Sequence, residues 1–324
     1  MAKTLMVCSG GGHLKQLHTL ADRLGVAHED QVWITFENGL STSLLADREV
    51  HFAPFVAPRD LRNLWRLKSV AASVLDLHEF ERAFSTGSSP AVAVLPMAAR
   101  RGAEAHYIES AARAVGPSVS GRILQRMSKV RTYTQYPAWQ TDRWGYAGSI
   151  YDGFQPVSPP AAEGEGSPAA ESGRIRRAVV TVGTQEGYGF DRLYDAVVPL
   201  LADCDEVLWQ TGSQDVSGWG IEGRDRVPHD ELNDAVREAD VVIAHSGTGS
   251  AITAFEQGKF PILVPRLARH GEHVDDHQVQ IAREMERRGL AFMQTPEELD
   301  EGVLLAASRR AVRTIGAPPM LLAS

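Results

Sequence analysis

Twice in this chain a short, wholly apolar run ends in a loop of small residues and leads into a helical pattern. The first is TLMVC (4–8), followed by SGGGH and then by Leu14, Leu17, Ala21 and Leu24. The second is AVVTVGT (178–184), followed by a polar loop and then by Phe190, Leu193, Val197 and Leu201. Continuous apolar runs of this length fit strands buried on both faces, and spacings of three and four put the later residues on one helix face. A strand apolar on both sides needs helices above and below it, which is a parallel sheet with crossover helices. QVWITF (31–36), AVAVLPMAARRG (91–102), AEAHYI (103–108) and VRTYT (130–134) continue the alternation in the first half. EVLWQTG (206–212), ADVVIAHSGTGS (239–250) and FPILVP (260–265) continue it in the second. The class is therefore α/β.

One segment interrupts this rhythm. PVSPPAAEGEGSPAAESG (156–173) is almost devoid of large apolar residues and reads as a flexible linker. It predicts an N-terminal domain over 1–155 and a C-terminal domain over 174–324, two units of ordinary domain size in 324 residues. Two doubly wound domains bind ligands at the carboxyl ends of their strands, so a cleft between them is the expected site. A net charge of -8 disfavours nonspecific nucleic-acid binding. Two cysteines, Cys8 and Cys204, form no disulfide framework, and a reducing cytoplasm fits. The apolar run after Lys3 is broken by glycines too soon for a signal peptide, and nothing approaches a membrane-spanning length, so any membrane contact is expected to be peripheral.

Five stretches carry polar residues where such a fold does chemistry. In SGGGHL, Gly11 and Gly12 let backbone N–H groups approach a ligand at a helix start, and His13 has a side chain suited to general-base work. The same loop also serves as a tight strand-to-helix corner. In VTVGTQEGYGF, Gly183 and Thr184 end a buried strand; the lysine of an NTPase phosphate loop is missing, which disfavours nucleotide hydrolysis. In HSGTGS, His245, Ser246, Gly247, Thr248, Gly249 and Ser250 offer N–H donors and hydroxyls to a diphosphate, and Glu256 lies further along the same helix. In GEHVDDHQ, the spacing of His273 and His277 around Asp276 suggests a metal on a helix, or a loop entering a helix whose side chains, Gln278 among them, hydrogen-bond a sugar. No third metal ligand is set by spacing, and no metal is expected. In APRDLRNLWRLKSVAASVL (57–75), Arg62, Trp65 and Arg66 mix with leucines, which fits a core-facing helix with snorkelling cations or a basic amphipathic helix on an anionic membrane.

These motifs in this order resemble a known family. VTVGT, ADVVIAHSGTGS, GKFPILVPR and GEHVDDHQ resemble the donor-binding component of bipartite glycosyltransferases. Those are the N-acetylglucosaminyltransferase of dolichol-linked oligosaccharide synthesis and its bacterial exopolysaccharide counterparts, within glycosyltransferase family 28. CSGGGHLKQL, the stretch from FSTGSS to YIESAARA, and YTQYP resemble the partner component, here fused to the first through the linker. The lipid II-forming transferase is a more distant likeness. The resemblance implies a GT-B architecture, two Rossmann-like domains facing across a cleft, with a UDP-sugar held by the second domain and no essential metal or other cofactor. It implies that Gly247 to Ser250 face the diphosphate, Glu256 the ribose, and His277 with Gln278 the donor sugar. It places His13 near the acceptor. The eukaryotic acceptor-side component carries an N-terminal membrane anchor; this sequence shows none, so docking would rest on surfaces such as 59–72.

The resulting expectation is a cytoplasmic, inverting hexosyltransferase, docked peripherally on the inner face of the membrane. It would move an N-acetylhexosamine such as that of UDP-GlcNAc, a hexose or a hexuronic acid from UDP to a polyprenyl-diphosphate-linked saccharide. His13 is the first candidate base, with Glu109 of YIES second. A UDP-sugar 2-epimerase and a non-catalytic UDP-sugar-binding subunit are the alternatives.

Overall fold

A computed structural model describes residues 3–56, 60–157, 173–183 and 187–322. The chain divides into two compact units, the first comprising residues up to Asp152 and from Ala317 onward, the second Gly153–Gly316.

The first unit contains β1 (Lys3–Cys8), α1 (Gly12–Ala21), β2 (Gln31–Phe36), α2 (Gly39–Leu44), β3 (Glu49–Ala53) and α3 (Leu61–Leu77). It continues with β4 (Phe80–Gly87), α4 (Ser89–Arg100), β5 (Glu104–Ile108), α5 (Val119–Leu124), β6 (Val130–Thr134) and β7 (Trp144–Tyr146). Its strands form one sheet in the order β3-β2-β1-β4-β5-β6-β7, and every pairing is parallel. Leu5 lies beside Val32 on one side and Ala83 on the other, so the central strand is buried along its length. Helix α3 shows how the faces are covered. Asp60 caps it by accepting the Asn63 N–H at 3.0 Å. Leu67, Ala71, Val74 and Leu75 then turn to the core at helical spacing. Truncating Leu67 to Ala would cost about 2–5 kcal/mol, as for other fully buried leucines.

The second unit contains β8 (Phe154–Val157), β9 (Arg177–Thr181), α6 (Asp191–Leu200), β10 (Glu206–Gln210), β11 (Gly223–Arg224), α7 (His229–Glu238), β12 (Val241–His245) and α8 (Thr248–Glu256). It ends with β13 (Ile262–Val264), α9 (His277–Arg287), β14 (Phe292–Met293), α10 (Glu301–Ser308) and β15 (Ala311–Thr314). Its sheet runs β11-β10-β9-β12-β13-β14, again all parallel. A separate antiparallel ribbon pairs β8 with β15. Both sheets share one strand order, reversing next to their first strand, which is the doubly wound pattern.

The division differs in detail from the boundaries read in the sequence. Pro156 and Val157, read as linker, belong to β8 and pair with Val312 and Ala311. The tail returns to the first unit, where the Met320 N–H reaches the Arg23 carbonyl and the Leu321 N–H the Ala147 carbonyl. The remainder of the linker, 158–172, lies outside the described residues.

Candidate active site

In each doubly wound sheet the loops at the reversal point leave the carboxyl ends of two neighbouring strands, and ligands gather there. In the first unit those strands are β1 and β4. The glycine loop after β1 ends at Gly11, the N-cap of α1, and Gly12 and His13 open the helix, so their N–H groups head an uncapped helix start. His13 Nδ1 lies 2.7 Å from the carbonyl oxygen of Thr86 at the end of β4. A carbonyl only accepts, so Nδ1 carries the hydrogen and the lone pair of the neutral ring is on Nε2. The Thr86 hydroxyl returns a bond to the His13 carbonyl at 2.8 Å. The ring lies against Gly87, where a Cβ would approach Cε1 to 2.8 Å; φ at this glycine is +119°.

Glu109 sits differently from a cleft-facing base. It is buried, and both carboxylate oxygens are engaged. Oε1 accepts the Tyr107 hydroxyl at 2.9 Å and the Ser110 N–H at 3.1 Å. Oε2 accepts the Ser118 N–H at 2.8 Å. Burial pushes its pKa up, against the pull of these donors. The geometry makes it a clamp on the loop between β5 and α5. Gln16, one turn after His13, joins the same buried network: its Oε1 accepts the Ala111 N–H at 2.8 Å. Gln16 belongs to no chemical motif in the sequence, and only this network marks it.

In the second unit the reversal strands are β9 and β12. Gly183 follows β9 and His245 ends β12; a Cβ on Gly183, whose φ is +74°, would come 2.7 Å from His245 Cε1. Burial, with the Arg266 cation nearby, pushes His245 down to about 3, so its ring is neutral. Ser246 and Gly247 then lead into α8, whose first turn is Thr248, Gly249 and Ser250. The Ser246 and Thr248 hydroxyls are buried and meet no hydrogen-bond partner among the described residues. Ser250 Oγ lies 3.5 Å from His245 Nδ1. Thr184 lies outside the described residues. Glu256 is the last residue of α8, roughly 12 Å along the axis from Thr248 at 1.5 Å per residue. The residue expected to face the ribose thus stands at the opposite end of this helix from those expected to face the diphosphate.

The GEHVDDHQ segment is a loop entering a helix, since α9 begins at His277. Its side chains first hold the loop itself. Gln278 Oε1 accepts the Arg266 N–H at 3.0 Å, Glu272 the Leu267 N–H at 2.9 Å, and Asp276 the Ala268 N–H at 2.8 Å. The Gln278 amide nitrogen remains the donor this residue can offer a ligand. His273 stacks on Tyr188 with ring centres 5.6 Å apart and meets His277 edge-on at 4.6 Å. Burial lowers the His273 pKa, with His277 adding to the effect. His273, Asp275 and His277 bring one potential metal-ligand atom each within 4.8 Å of one another, although Asp275 already bonds the His277 ring.

The basic helix α3 divides its apolar residues. Leu67 packs in the core, while Leu61 and Trp65 are 77% and 71% exposed beside exposed Arg62 and Arg66. Phe55 is exposed too, and its carbonyl accepts the Asn63 side chain at 3.0 Å. Among the described residues no helix is long and apolar enough to cross a membrane.

Known proteins are similar to this chain in sequence and in fold. Residues 177–313 match the glycosyltransferase family 28 C-terminal domain. The UDP-N-acetylglucosamine transferase subunit ALG13 of Yarrowia lipolytica is 37% identical over 59 residues, 18% of this chain and 28% of that relative's length. The structure of Acinetobacter baumannii MurG is similar at a TM-score of 0.56 and 17% identity, over 94% of this chain and 89% of that one. The glycosyltransferase SnogD of Streptomyces nogalater is similar at a TM-score of 0.59 and 16% identity, over 95% and 94%. At such identities the two structures speak to the fold, and the family match to the second unit. The chain thus has the GT-B fold, and its second unit matches the glycosyltransferase family 28 C-terminal domain over residues 177–313.

Proposed function

We propose that this protein is an inverting, UDP-dependent glycosyltransferase whose second unit holds the donor and whose first unit supplies the base. The observation that carries the proposal is the end of β12 within the family 28 domain. There an uncapped helix start carries the buried hydroxyls of Ser246 and Thr248, which have no partner among the described residues. Helix N-termini and hydroxyls neutralise a leaving diphosphate without a cation. In the transfer, the acceptor O–H gives its proton to His13 Nε2, and the acceptor oxygen bonds to the anomeric carbon. The bond from that carbon to the diphosphate oxygen breaks on the opposite face, and its electron pair leaves with UDP. The Thr86 carbonyl supports this role for His13 by holding the proton on Nδ1 at 2.7 Å.

Thermal shift against UDP, GDP, dTDP and NAD tests the donor. Stabilisation by UDP above the others is expected; stabilisation by another nucleotide with none by UDP would refute it. Adding EDTA leaves UDP binding and transfer unchanged if no metal is required, and loss of transfer would overturn that part. The acceptor is a lipid-linked saccharide presented at a membrane to which the protein binds peripherally. Exposed Leu61 and Trp65 beside Arg62 and Arg66 support this reading, as an apolar and cationic surface suits an anionic bilayer. A screen of UDP-sugars with extracted lipid acceptors, read by mass spectrometry, identifies sugar and acceptor. Donor incubated without acceptor should be recovered unchanged, and its interconversion would signal an epimerase.

A further inference from the structure

The residue after the apolar run ILVP is Arg266, and its side chain is 2% exposed. Among the described residues its Nε and Nη1 are buried without a hydrogen-bond partner. Its guanidinium lies over the ring of Phe190, 5.5 Å from the centroid. The acid whose charge acts on it, Glu272, is already taken. Glu272 binds Arg192 through both oxygens at 2.8 and 3.1 Å. Burial lowers the Arg266 pKa, only partly opposed by Tyr194 and Glu272, yet a guanidinium stays charged in proteins.

A buried cation without a counter-charge is costly, and native structures keep few such groups. Here they gather in one place. Of the described buried side-chain polar atoms in this unit that lack a partner, all but one belong to Tyr194, Ser246, Thr248 and Arg266; the other is on Asn233. Strand register explains the gathering. His245 lies beside Val264 in the parallel pair β12–β13. Arg266 therefore follows β13 by two residues at the same sheet edge where Ser246 and Gly247 follow His245. Its side chain extends to Phe190, which precedes α6 on the far side of β12, since β12 lies between β9 and β13. It thus spans the strand end from which Ser246, Gly247 and Thr248 depart.

We propose that Arg266, with the Ser246 and Thr248 hydroxyls, is an oxyanion-binding site completed by the donor, resting on the reading above of the second unit as the donor unit. Two parts of a nucleotide sugar carry this chemistry: the diphosphate, and the carboxylate of a hexuronic acid. A guanidinium fork suits both, and its second edge makes it selective for paired oxygens over a single hydroxyl.

Calorimetric titration of the wild type and Arg266→Gln separates the sources, with UDP, UMP, UDP-glucose and UDP-glucuronic acid as ligands. If the diphosphate is the partner, Arg266→Gln weakens UDP by about tenfold or more and leaves UMP nearly unchanged. If the carboxylate is the partner, UDP is unchanged and UDP-glucuronic acid loses a preference over UDP-glucose that the wild type shows. Equal affinities of both proteins for all four ligands overturn the proposal while leaving the donor reading intact. If the wild type binds no uridine nucleotide, the donor reading fails. Thermal shift with inorganic pyrophosphate then decides, since stabilisation lost in Arg266→Gln upholds the oxyanion site and stabilisation kept in it overturns the site. Arg266→Met serves as the folding control. Without ligand it should melt no lower than the wild type, because it removes an uncompensated buried charge; a large fall in melting temperature would mean the cation already has its counter-charge and would refute the proposal.

Discussion

Gly87→Ala disturbs the candidate base without altering it. The new methyl would lie 2.8 Å from His13 Cε1 and 3.0 Å from Nδ1. Carbon contacts relax at about 3.5 Å or more, so the ring must move by roughly 0.7 Å. The helix holding it resists, because the Thr86 hydroxyl anchors the His13 carbonyl at 2.8 Å. The imidazole therefore yields, stretching its 2.7 Å bond to the Thr86 carbonyl and turning Nε2 from its position. The backbone adds its own cost: φ of +119° is a region L-residues rarely occupy, worth about 1–3 kcal/mol. Misplacing a catalytic group by this much lowers turnover by about 100-fold, and deleting a general base by about 100- to 10,000-fold. The assay is UDP release with the donor and acceptor found by screening, with UDP affinity measured in parallel. Gly87→Ala should lose turnover, keep UDP affinity and melt a few degrees lower. His13→Ala/Gly87→Ala should be no slower than His13→Ala, because the methyl then has no ring to displace. Full turnover in Gly87→Ala, or losses that multiply in the double variant, would refute His13 as the base.

Glu109→Gln should lose about 1–3 kcal/mol of stability, because an amide NH2 would face the Ser118 N–H that Oε2 now accepts. Its pH–rate profile should keep the wild-type inflections; a shifted inflection would return Glu109 to the chemistry. His106, buried between Phe84 and Tyr133, is pushed down to about 4, by burial first and by the Arg131 cation second. The unfolded chain binds its proton below about 6.5 while the folded chain does not, so this contribution is full above pH 6.5 and is lost as pH falls towards 4, at up to ~1.4 kcal/mol per pH unit. Urea melts between those pH values should be steeper in pH for the wild type than for His106→Phe, and equal slopes would contradict this. Leu61→Ser/Trp65→Ser should abolish co-sedimentation with phosphatidylglycerol vesicles while changing stability by no more than about 0.5 kcal/mol per site. Undiminished co-sedimentation would rule out this face as the docking surface.

Strands buried on both faces were the most legible part of the chain. TLMVC, QVWITF and AVVTVGT, as apolar runs, match β1, β2 and β9 to within a few residues. The edge strand β3, EVHFA, carries no such run because it is only half buried. The end of β4 is hidden for another reason: Ser85 and Thr86 are polar yet fully buried, Ser85 accepting the Gly87 N–H and Thr86 donating to the His13 carbonyl far away in the sequence. The return of the tail to the first unit is illegible because backbone atoms make it, at Met320 and Leu321, and backbone bonding leaves no residue preference. On α3 the leucine pattern fits either reading, and only the helix phase separates inward Leu67 from outward Leu61 and Trp65. Arg266 did leave a signal, a cation set directly after ILVP where a loop would ordinarily turn to solvent. What the sequence lacked was the knowledge that Glu272, six residues on, pairs with Arg192 instead.

The two units answer one architecture with different chemistry. Each sheet reverses beside its first strand, and at each reversal a histidine ring packs on a glycine of positive φ, His13 on Gly87 and His245 on Gly183. The partners of the rings differ. His13 has a carbonyl at 2.7 Å, which sets its tautomer. His245 has a carbonyl only at 3.4 Å, and burial first and the Arg266 cation second keep its ring neutral and unfit to take a proton near neutral pH. In the proposed reaction a base beside the leaving group would compete with the cationic and dipolar groups there, since protonating it adds charge near Arg266, whose Nε and Nη1 have no partner among the described residues. A fixed cation near His13 would in turn depress its basicity. In the proposed reaction, proton transfer in the first unit and anion stabilisation in the second would let the two histidines occupy the same structural corner in different roles. Moving a cation to the first corner should therefore impair turnover more than UDP binding, and Thr86→Lys, measured for both, tests that separation directly.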